Sequence, residues 1–340
     1  MPVPAALATV TRRAALDRAL ARERWRQVTG LALGDWADRL TTAGRLTLNF
    51  HPDRLDRRGR TVAAGFLADG RYRSQWATGI SAGSRSAMPG GERERWERAL
   101  FGAAGADHEE PSVYGSLDLL GDPHGGSPRF GSSFVVLRDH VRARVTLCVG
   151  DSHVGPADVG TFDAPWGILA GLAEQALANR LLHRGLGFDD LVEALTFPYR
   201  SDRPSRDLDG YVEAQVHGGV ALADDVAEVV LDPSFRGTDI ERDLALAAVQ
   251  YGFALTWHTG SELPVDEVPV DFRGPEMQPL AHRVARPDGM VDAHAIGLHA
   301  RPLPFTEPLP SGDPPDSALQ QLKYLWHTLL HHGHDTVQPQ

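Results

Sequence analysis

The sequence predicts an α+β protein with a mixed or antiparallel sheet and flanking helices. Three observations predict this class. Apolar residues recur every three or four positions in several stretches, as on the buried face of a helix. Elsewhere they alternate with polar residues, as in strands. In the middle of the chain, three β-rich segments follow one another with only Gly, Pro and Asp clusters between them, which favours antiparallel or mixed pairing.

The first 44 residues are a predicted helical segment. Leu20, Trp25 and Val28 recur at helical spacing, and after a short break the pattern continues to residue 40. The period changes to two at Arg45, which marks the first strand, and Pro52 ends that strand just after His51.

The same criteria assign the rest of the chain. Predicted helices cover 60–67, 92–101, 167–182, 188–195, 241–251 and 317–331. Predicted strands cover 113–120, 132–137, 142–149, 211–217, 226–231 and 254–258. The segment 71–91 is predicted as a long loop, because it is rich in Gly, Ser and Arg and lacks periodicity.

Four divisions of the chain are predicted. They are the helical segment 1–44, one α+β domain over 45–260, a C-terminal extension over 261–330 that ends in a helix, and a mobile tail over 331–340. The Pro-rich stretch 302–315 is predicted as a linker or surface crossing.

The composition is that of an ordinary soluble globular protein. The 340 residues are 42% hydrophobic and 23% charged, and no apolar stretch is long enough to span a bilayer. The formal charge of −11 argues against a protein that holds nucleic acid on a broad basic face. The single cysteine, Cys148, lies in an apolar run, so we expect a buried thiol rather than a nucleophile. Without an internal disulfide or a secretory signal pattern, a cytoplasmic location is expected, and export without a cleavable signal stays open.

One predicted strand carries most of the polar chemistry. A period of two places Tyr211, Glu213, Gln215 and His217 on one side of residues 211–217 and only apolar residues on the other. The apolar side is expected to face the core. The polar side is either a solvated sheet face or the floor of a cleft, and the pattern leaves both open.

Several short motifs together resemble the bacterial family of uncharacterised proteins called DUF3626. They are LNFHPDR at 48–54, DGRYRSQ at 69–75, GIS at 79–81, GG at 90–91 with WE at 96–97, YG at 114–115, PRFGS at 128–132, GDS at 150–152 and YVEAQVHG at 211–218. The resemblance runs from residue 45 to residue 258, and it implies no established activity.

The order of these motifs is also similar to that of ADP-ribosyltransferases, which have an early strand ending in His or Arg, a middle Ser segment and a late strand with a catalytic Glu. This resemblance implies a split sheet and NAD as the substrate, so that the protein would be an ADP-ribosyltransferase or an NAD glycohydrolase. Glu213 would stabilise the oxocarbenium-like ribose, with Tyr211 and Gln215 beside it in the catalytic set. The residues expected to bind NAD are His51, Arg54, Ser81, Tyr72 and His217.

The resemblance leaves the ADP-ribose acceptor unidentified. A protein or a small molecule is expected rather than a nucleic acid, given the charge of −11. Tyr211 would lie where such enzymes position the acceptor, and no membrane partner is expected.

Two features keep other functions open. Where the family resemblance leads us to expect an aromatic residue followed by Glu, this chain has Trp76 and Ala77, so a family carboxylate is missing. The scaffold would then serve as a non-catalytic nucleotide-binding or interaction protein. The carboxylates and histidines around Glu213 and His217 would also suit an NAD-independent hydrolase.

Two other sequence features give weaker indications of function. The GDS segment at 150–152 resembles the nucleophile motif of a class of esterases, but there the motif opens the domain, and Asp151 is expected to fix a turn by accepting backbone N–H bonds. The histidines at 294, 299, 331, 332 and 334 lack the spacing of a metal site, so no metal is expected.

Overall fold

The computed structural model describes residues 2–29, 34–42, 44–80, 89–102, 111–178, 204–301 and 317–336. The helices in these ranges are α1 Pro2–Leu16, α2 Arg18–Thr29, α3 Gly34–Thr42, α4 Val62–Asp69, α5 Gln75–Thr78, α6 Glu92–Phe101, α7 Trp166–Leu177, α8 Leu222–Asp225, α9 Asp239–Tyr251, α10 Met277–Val284, α11 Ala293–Ala300 and α12 Ser317–His332. The strands are β1 Arg45–Phe50, β2 Arg71–Tyr72, β3 Val113–Asp118, β4 Ser133–Leu137, β5 Val145–Val149, β6 Val159–Thr161, β7 Val212–Val216, β8 Val220–Ala221, β9 Val226–Leu231, β10 Ala254–Trp257, β11 Leu263–Pro264 and β12 Met290–Val291.

The α+β class is confirmed by a large mixed sheet with flanking helices. Its strand order is β10–β9–β4–β1–β3–β7–β5–β6. The chain divides into two compact units. The first unit comprises Met1–Leu48, Met88–Ser127 and Val136–Val220, and the second comprises Asn49–Ala87, Pro128–Val135 and Ala221–Gln340.

In the first unit, the strands β1, β3, β7, β5 and β6 are neighbours in that order, and each neighbouring pair is antiparallel. The middle strand, β7, has Ser116 of β3 and Cys148 of β5 directly opposite Glu213. Gly115 lets β3 approach β1 closely, because a Cβ at this position would lie 2.3 Å from the Thr47 carbonyl oxygen.

The two faces of these strands are covered by different helices. The apolar helix α7 packs on β5 and β6, and α2 packs on α7. Gly167 allows this approach, since a Cβ there would lie 2.0 Å from the Val159 carbonyl oxygen. On the opposite face, α1 and α6 contribute to a buried apolar cluster with Cys148. Its members are Ala6, Val10, Leu100, Phe101, Cys148 and Val159. Because directly opposite residues share a face, the face covered by α1 and α6 is the one that carries Glu213.

The second unit contains the parallel pair β9 and β10, joined through α9. Helix α4 packs against α9, where the Tyr251 hydroxyl donates a hydrogen bond to the Leu67 carbonyl (2.9 Å). The sequence sets the ends of α4. The Thr61 hydroxyl accepts a bond from the Ala64 N–H (3.0 Å) at its start, and Gly70 adopts a left-handed φ of 63° at its end. The C-terminal helices α10 and α11 pack on α12.

Most predicted elements are confirmed within a few residues, including all six strands predicted after residue 112. The predicted loop 71–91 is wrong in part, because it contains β2 and α5. The predicted helix 188–195 and the Pro-rich stretch 302–315 lie outside the described residues. At the end of the chain, His331 and His332 complete α12, and Glu262 and His334 exchange two backbone hydrogen bonds of 2.9 and 2.8 Å. No helix in the described ranges is both long and apolar enough to span a bilayer.

Candidate functional site

The candidate site is built on β7, the central strand of the first unit. Glu213 lies beside Cys148 of β5, and Gln215 lies between Tyr114 of β3 and Thr146 of β5. The β-branched and apolar residues of β7 alternate with these polar ones, so the strand presents an aliphatic face to one side and a hydrogen-bonding face to the other.

The polar face of β7 is buried. The exposed fraction is 5% for Glu213, 0% for Gln215 and 5% for His217. A solvated sheet face is therefore wrong as an interpretation of this pattern, because α1 and α6 cover it. Buried polar groups are stable only when they are hydrogen-bonded, so the contacts between them define the site.

Four hydrogen bonds connect these side chains in series. Gln215 Nε2 donates to Glu213 Oε1 (2.8 Å), and Gln215 Oε1 accepts from the Thr146 hydroxyl (2.7 Å). Thr146 Oγ1 lies 3.0 Å from His217 Nε2, and His217 Nδ1 lies 3.0 Å from Ser112 Oγ. Both ends of the Gln215 amide are thereby engaged, and its NH2 group is held toward Glu213.

The series also fixes the tautomer of His217. Thr146 has one hydroxyl proton and donates it to Gln215, so its oxygen must accept the proton of His217 Nε2–H. His217 Nδ1 then accepts from the Ser112 hydroxyl. Burial, with the positive charge of Arg144, lowers the pKa of His217 to about 4, in agreement with a neutral ring at pH 7. All four hydrogen bonds therefore point toward the Glu213 carboxylate.

The surroundings of the Glu213 carboxyl disfavour its ionised form. Burial raises its pKa to about 7, and the neighbouring charge of Asp151 adds to the rise. The Ser152 N–H, which donates to Glu213 Oε2 (3.3 Å), and the Gln215 amide oppose it. The carboxyl is consequently poised between its neutral and ionised forms near pH 7, and a cation placed beside it would favour the ionised form.

Cys148 is a buried thiol, as the sequence predicts. Gln215 Nε2 lies 3.4 Å from its sulfur, and Glu213 Oε1 lies 4.0 Å from it. Burial raises the pKa of Cys148 well above its usual value, with a contribution from the charge of Glu213. The thiolate that a nucleophile requires is thus disfavoured.

Two residues of helix α6, Arg93 and Glu97, contact Tyr114, which lies opposite Gln215 on β3. The Arg93 guanidinium lies over the rings of both Trp96 and Tyr114, 4.8 Å from each ring centre, and pairs with Glu97 (3.4 Å). The Tyr114 hydroxyl donates to Glu97 Oε1 (2.7 Å). Burial raises the pKa of Tyr114 well above its usual value, as do the charges of Glu97 and Glu213, so this ring stays a neutral phenol near the site.

A short turn after β5 forms the partly exposed border of the site. Asp151 Oδ1 accepts the backbone N–H of His153 (3.2 Å) and lies 2.6 Å from His153 Nδ1. This confirms the predicted turn role of Asp151. Ser152, only 2% exposed, contributes its backbone N–H to Glu213.

Of the residues predicted for catalysis, Glu213 and Gln215 are in direct contact. Tyr211 precedes β7 in the same unit, is 2% exposed, and its carbonyl accepts the Gly150 N–H (2.9 Å). Of those predicted to bind NAD, His217 belongs to the series that ends on Glu213.

The other residues predicted to bind NAD belong to the second unit, apart from Ser81, which lies outside the described residues. Tyr72 packs with Phe50 and Phe66 at ring-centre distances of 6.0 and 5.5 Å, and burial raises its pKa. The His51 ring meets Trp326 edge-on at 5.3 Å, and burial lowers its pKa to about 3, with a contribution from Arg54.

Arg54 lies next to a buried carboxyl. Asp53 is 1% exposed, and burial raises its pKa to about 6 against the charges of Arg301 and Arg54. Burial also lowers the pKa of Arg54, and the charge of Asp53 opposes this.

Sequence reasoning missed the partners of β7. Thr146, Ser112, Ser152 and the ring of His153 were not predicted as site residues. For Thr146 a signal exists: it is two residues before Cys148 in the same strand, so it shares a face with any residue that lies opposite Cys148. Among the described residues, no three His, Cys, Asp or Glu side chains are grouped as a metal site requires.

Comparison with known proteins places the chain in a family. Residues 45–332 match a family described as "Protein of unknown function (DUF3626)". The chain belongs to this family. The match continues beyond the motifs recognised in the sequence, through α10, α11 and α12, and it includes β7 and both of its neighbours.

Two phage proteins are similar to part of this DUF3626 chain. It is 34% identical over 173 residues to the Gene 2 protein of Mycobacterium phage L5, which is 50% of this chain and 62% of that protein. It is 30% identical over 165 residues to the Gene 2 protein of Mycobacterium phage D29, which is 48% of this chain and 58% of that protein. The chain thus spans less than two thirds of the length of these curated relatives.

Proposed function

We propose that the protein is an NAD-dependent ADP-ribosyltransferase or NAD glycohydrolase in which Glu213 stabilises the positive charge of the ribosyl group. One observation carries the proposal. The Glu213 carboxyl is buried, its pKa is raised to about 7, and its two oxygens are held by the Ser152 N–H and the Gln215 amide.

The reaction makes use of such a carboxylate. When the bond between nicotinamide and ribose breaks, the bond electrons leave with nicotinamide, and the ribose C1′ takes on oxocarbenium character. Two opposite unit charges 4 Å apart attract each other by about 4 kcal/mol at an effective dielectric constant near 20, several times more than in water. A buried, hydrogen-bonded carboxylate beside the ribose therefore favours the transition state, in which the positive charge has moved onto the ribose, over bound NAD, in which that charge lies on the nicotinamide ring.

The same electrostatics explains why Glu213 need not be fully ionised in the free protein. NAD carries a positive charge on its nicotinamide ring, and this charge beside Glu213 lowers the pKa of the carboxyl. Substrate binding would thus ionise the carboxyl group that the reaction needs. A buried carboxylate is costly when it is unpaired, and Glu213 would be ionised mainly when the positive charge of NAD is there to offset that cost.

The order of motifs along the chain supports the same proposal. It resembles that of ADP-ribosyltransferases, so we assign NAD binding to His51, Arg54, Tyr72, Ser81 and His217 and the acceptor side to Tyr211. The acceptor itself would be a protein, a small molecule or water. Ala77, which stands where a family carboxylate is expected and is exposed, favours a second candidate: a non-catalytic nucleotide-binding protein on the same scaffold.

The decisive experiment incubates the purified protein with NAD and measures free nicotinamide by chromatography. The wild type should release nicotinamide and Glu213→Gln should not, because the amide keeps the shape of the side chain but removes its charge. Glu228→Gln is the matched control. It changes a half-buried strand glutamate in the second unit that accepts a bond from Thr256 (2.6 Å), and its rate should equal that of the wild type.

The possible outcomes separate the candidate functions. Equal release by Glu213→Gln and wild type would remove Glu213 from the mechanism. NAD binding by calorimetry without release would support the non-catalytic alternative, and the absence of both would sink the NAD proposal and leave an NAD-independent hydrolase.

A further test addresses the assigned NAD-binding residues. His51→Ala and Arg54→Ala should each weaken NAD binding at least several-fold, because they remove an imidazole and a guanidinium assigned to the dinucleotide. Asp139→Ala, at an exposed carboxylate in the first unit, is the control. Unchanged NAD affinity in both variants would contradict the assignment of NAD binding to His51 and Arg54.

A further inference from the structure

The turn that follows β5 places a His–Asp pair next to Glu213. Asp151 Oδ1 lies 2.6 Å from His153 Nδ1, and the residue between them, Ser152, donates its N–H to Glu213 Oε2 (3.3 Å). The side chains of His153 and Asp151 are 33% and 26% exposed, so an acceptor molecule can reach them although Glu213 itself is buried. The pair is therefore partly open to solvent, and the residue between its two members contacts the carboxylate.

The pair has the arrangement of an oriented base. A carboxylate at hydrogen-bond distance from Nδ1 selects the tautomer with the proton on Nδ1, which leaves the lone pair on Nε2. The imidazole is also held from the side, since its ring meets Trp96 edge-on with 6.3 Å between ring centres. Trp96 is in turn held by the Arg93 guanidinium, 4.8 Å above its ring.

A structural role in the turn explains only one of the two contacts that Asp151 makes with His153. To cap the turn, Asp151 needs the backbone N–H of His153 (3.2 Å), and any residue at position 153 supplies that group. The contact to the imidazole is additional, and it is the shorter of the two.

We propose that His153, oriented by Asp151, is the general base that activates the acceptor. This inference rests on the proposed function and extends it to the second substrate. An acceptor O–H, from water or from an alcohol, attacks the ribose C1′ through oxygen, and its proton passes to His153 Nε2. The C1′–N bond breaks with its electron pair going to nicotinamide, which leaves neutral. The overall change converts NAD⁺ and ROH into an ADP-ribosyl product, nicotinamide and one proton.

The proposal identifies the acceptor by its chemistry. A neutral hydroxyl needs a base, because it becomes acidic only as the new bond forms, whereas an anionic nucleophile needs none. The acceptor class is therefore water or a hydroxyl-bearing molecule rather than a thiolate or a carboxylate.

The test uses His153→Ala with NAD and water as the acceptor, with and without sodium azide. Nicotinamide release should fall by about 100-fold or more, the usual contribution of a general base. Azide, an anionic nucleophile, should restore release and give ADP-ribosyl azide, detected by mass spectrometry. Glu213→Gln should gain nothing from azide, because it lacks the charge that stabilises the ribosyl cation. His140→Ala, an exposed histidine in the same unit, is the control and should match the wild type.

Each other outcome has a distinct meaning. Release by His153→Ala within about threefold of the wild type, with Glu213→Gln inactive, would overturn the base and leave the proposed function intact. A loss that azide does not restore would show that His153 acts through structure alone and would also overturn it. No release by the wild type would overturn the proposed function, and this inference with it.

Discussion

Replacing Glu213 by Gln should remove a loss of stability that the wild-type protein undergoes as the pH rises. Burial raises the pKa of this carboxyl from 4.5 to about 7. At about 1.4 kcal/mol per pKa unit, the ionised carboxylate destabilises the folded chain by about 3 kcal/mol above pH 7. Below pH 4.5 the carboxyl is protonated in both folded and unfolded chains and contributes no such loss. Between these values the folded protein holds the proton longer, so the free energy of unfolding falls as the pH rises.

The glutamine variant removes this titration but also changes hydrogen bonds. One of the two oxygens that accept from Ser152 and Gln215 becomes an NH2 group, which costs about 1–3 kcal/mol at every pH. The prediction therefore concerns only the pH-dependent part of the difference in unfolding free energy between Glu213→Gln and wild type. The unfolding free energy of Glu213→Gln relative to wild type should increase by about 3 kcal/mol between pH 4.5 and pH 8.

Urea denaturation followed by circular dichroism at pH 4.5, 5.5, 6.5 and 8 measures this difference. Titrating groups that do not interact with Glu213 are common to both proteins, and their contributions cancel. Asp139→Asn, which changes a carboxylate whose side chain is 92% exposed, is the matched carboxylate-to-amide control. A difference between Glu213→Gln and wild type that stays constant over this range would refute the reasoning, since it would mean that the folded carboxyl titrates like an unfolded one.

Three further results are expected. The kcat/KM for nicotinamide release should rise about tenfold per pH unit up to about pH 7 and then level off, because only the ionised Glu213 stabilises the ribosyl cation; a flat profile would contradict this. Asp151→Asn should move that rise to lower pH, because a negative neighbour that raises the pKa of Glu213 is removed, and an unchanged midpoint would show that its charge is not felt. Thr146→Val should lower kcat by about tenfold with little change in KM, whereas Thr146→Ser should retain the wild-type rate. Equal rates for the valine and serine variants would mean that the hydroxyl does not position Gln215.

The sequence was sufficient where structure is local. The period of two in residues 211–217 placed Glu213, Gln215 and His217 on one face, because alternation along a strand depends only on the strand itself. The turn role of Asp151 followed in the same way from the short reach of its side chain.

The sequence was insufficient where distant segments meet. Thr146 lies 69 residues from Gln215, and Ser112 lies 105 residues from His217, so their contacts depend on the pairing of strands that periodicity does not specify. Whether the polar face met solvent depended on α1, about 200 residues earlier in the chain.

Proline misled the prediction for the C-terminal part. Helix α10 contains Pro279 at its third position, and frequent Pro and Gly led to no helix being predicted there. Proline is tolerated in the first turn of a helix, because the N–H groups of that turn have no partner within the helix. The buried side chains of Met277 and Leu280 then secure the helix by packing.

The buried polar face has a consequence for folding. Strands can slip past one another, and a slip of one residue turns every side chain to the opposite face. A slip of β7 by one residue would place Glu213, Gln215 and His217 on the aliphatic face of the strand, where each group left without a partner costs about 1–3 kcal/mol. Val212, Ala214 and Val216 would in turn face groups that need hydrogen bonds. The polar residues of the candidate site therefore also specify the register of β7 in the sheet. A sheet that assembles in the wrong register is less stable, whether or not a substrate is bound.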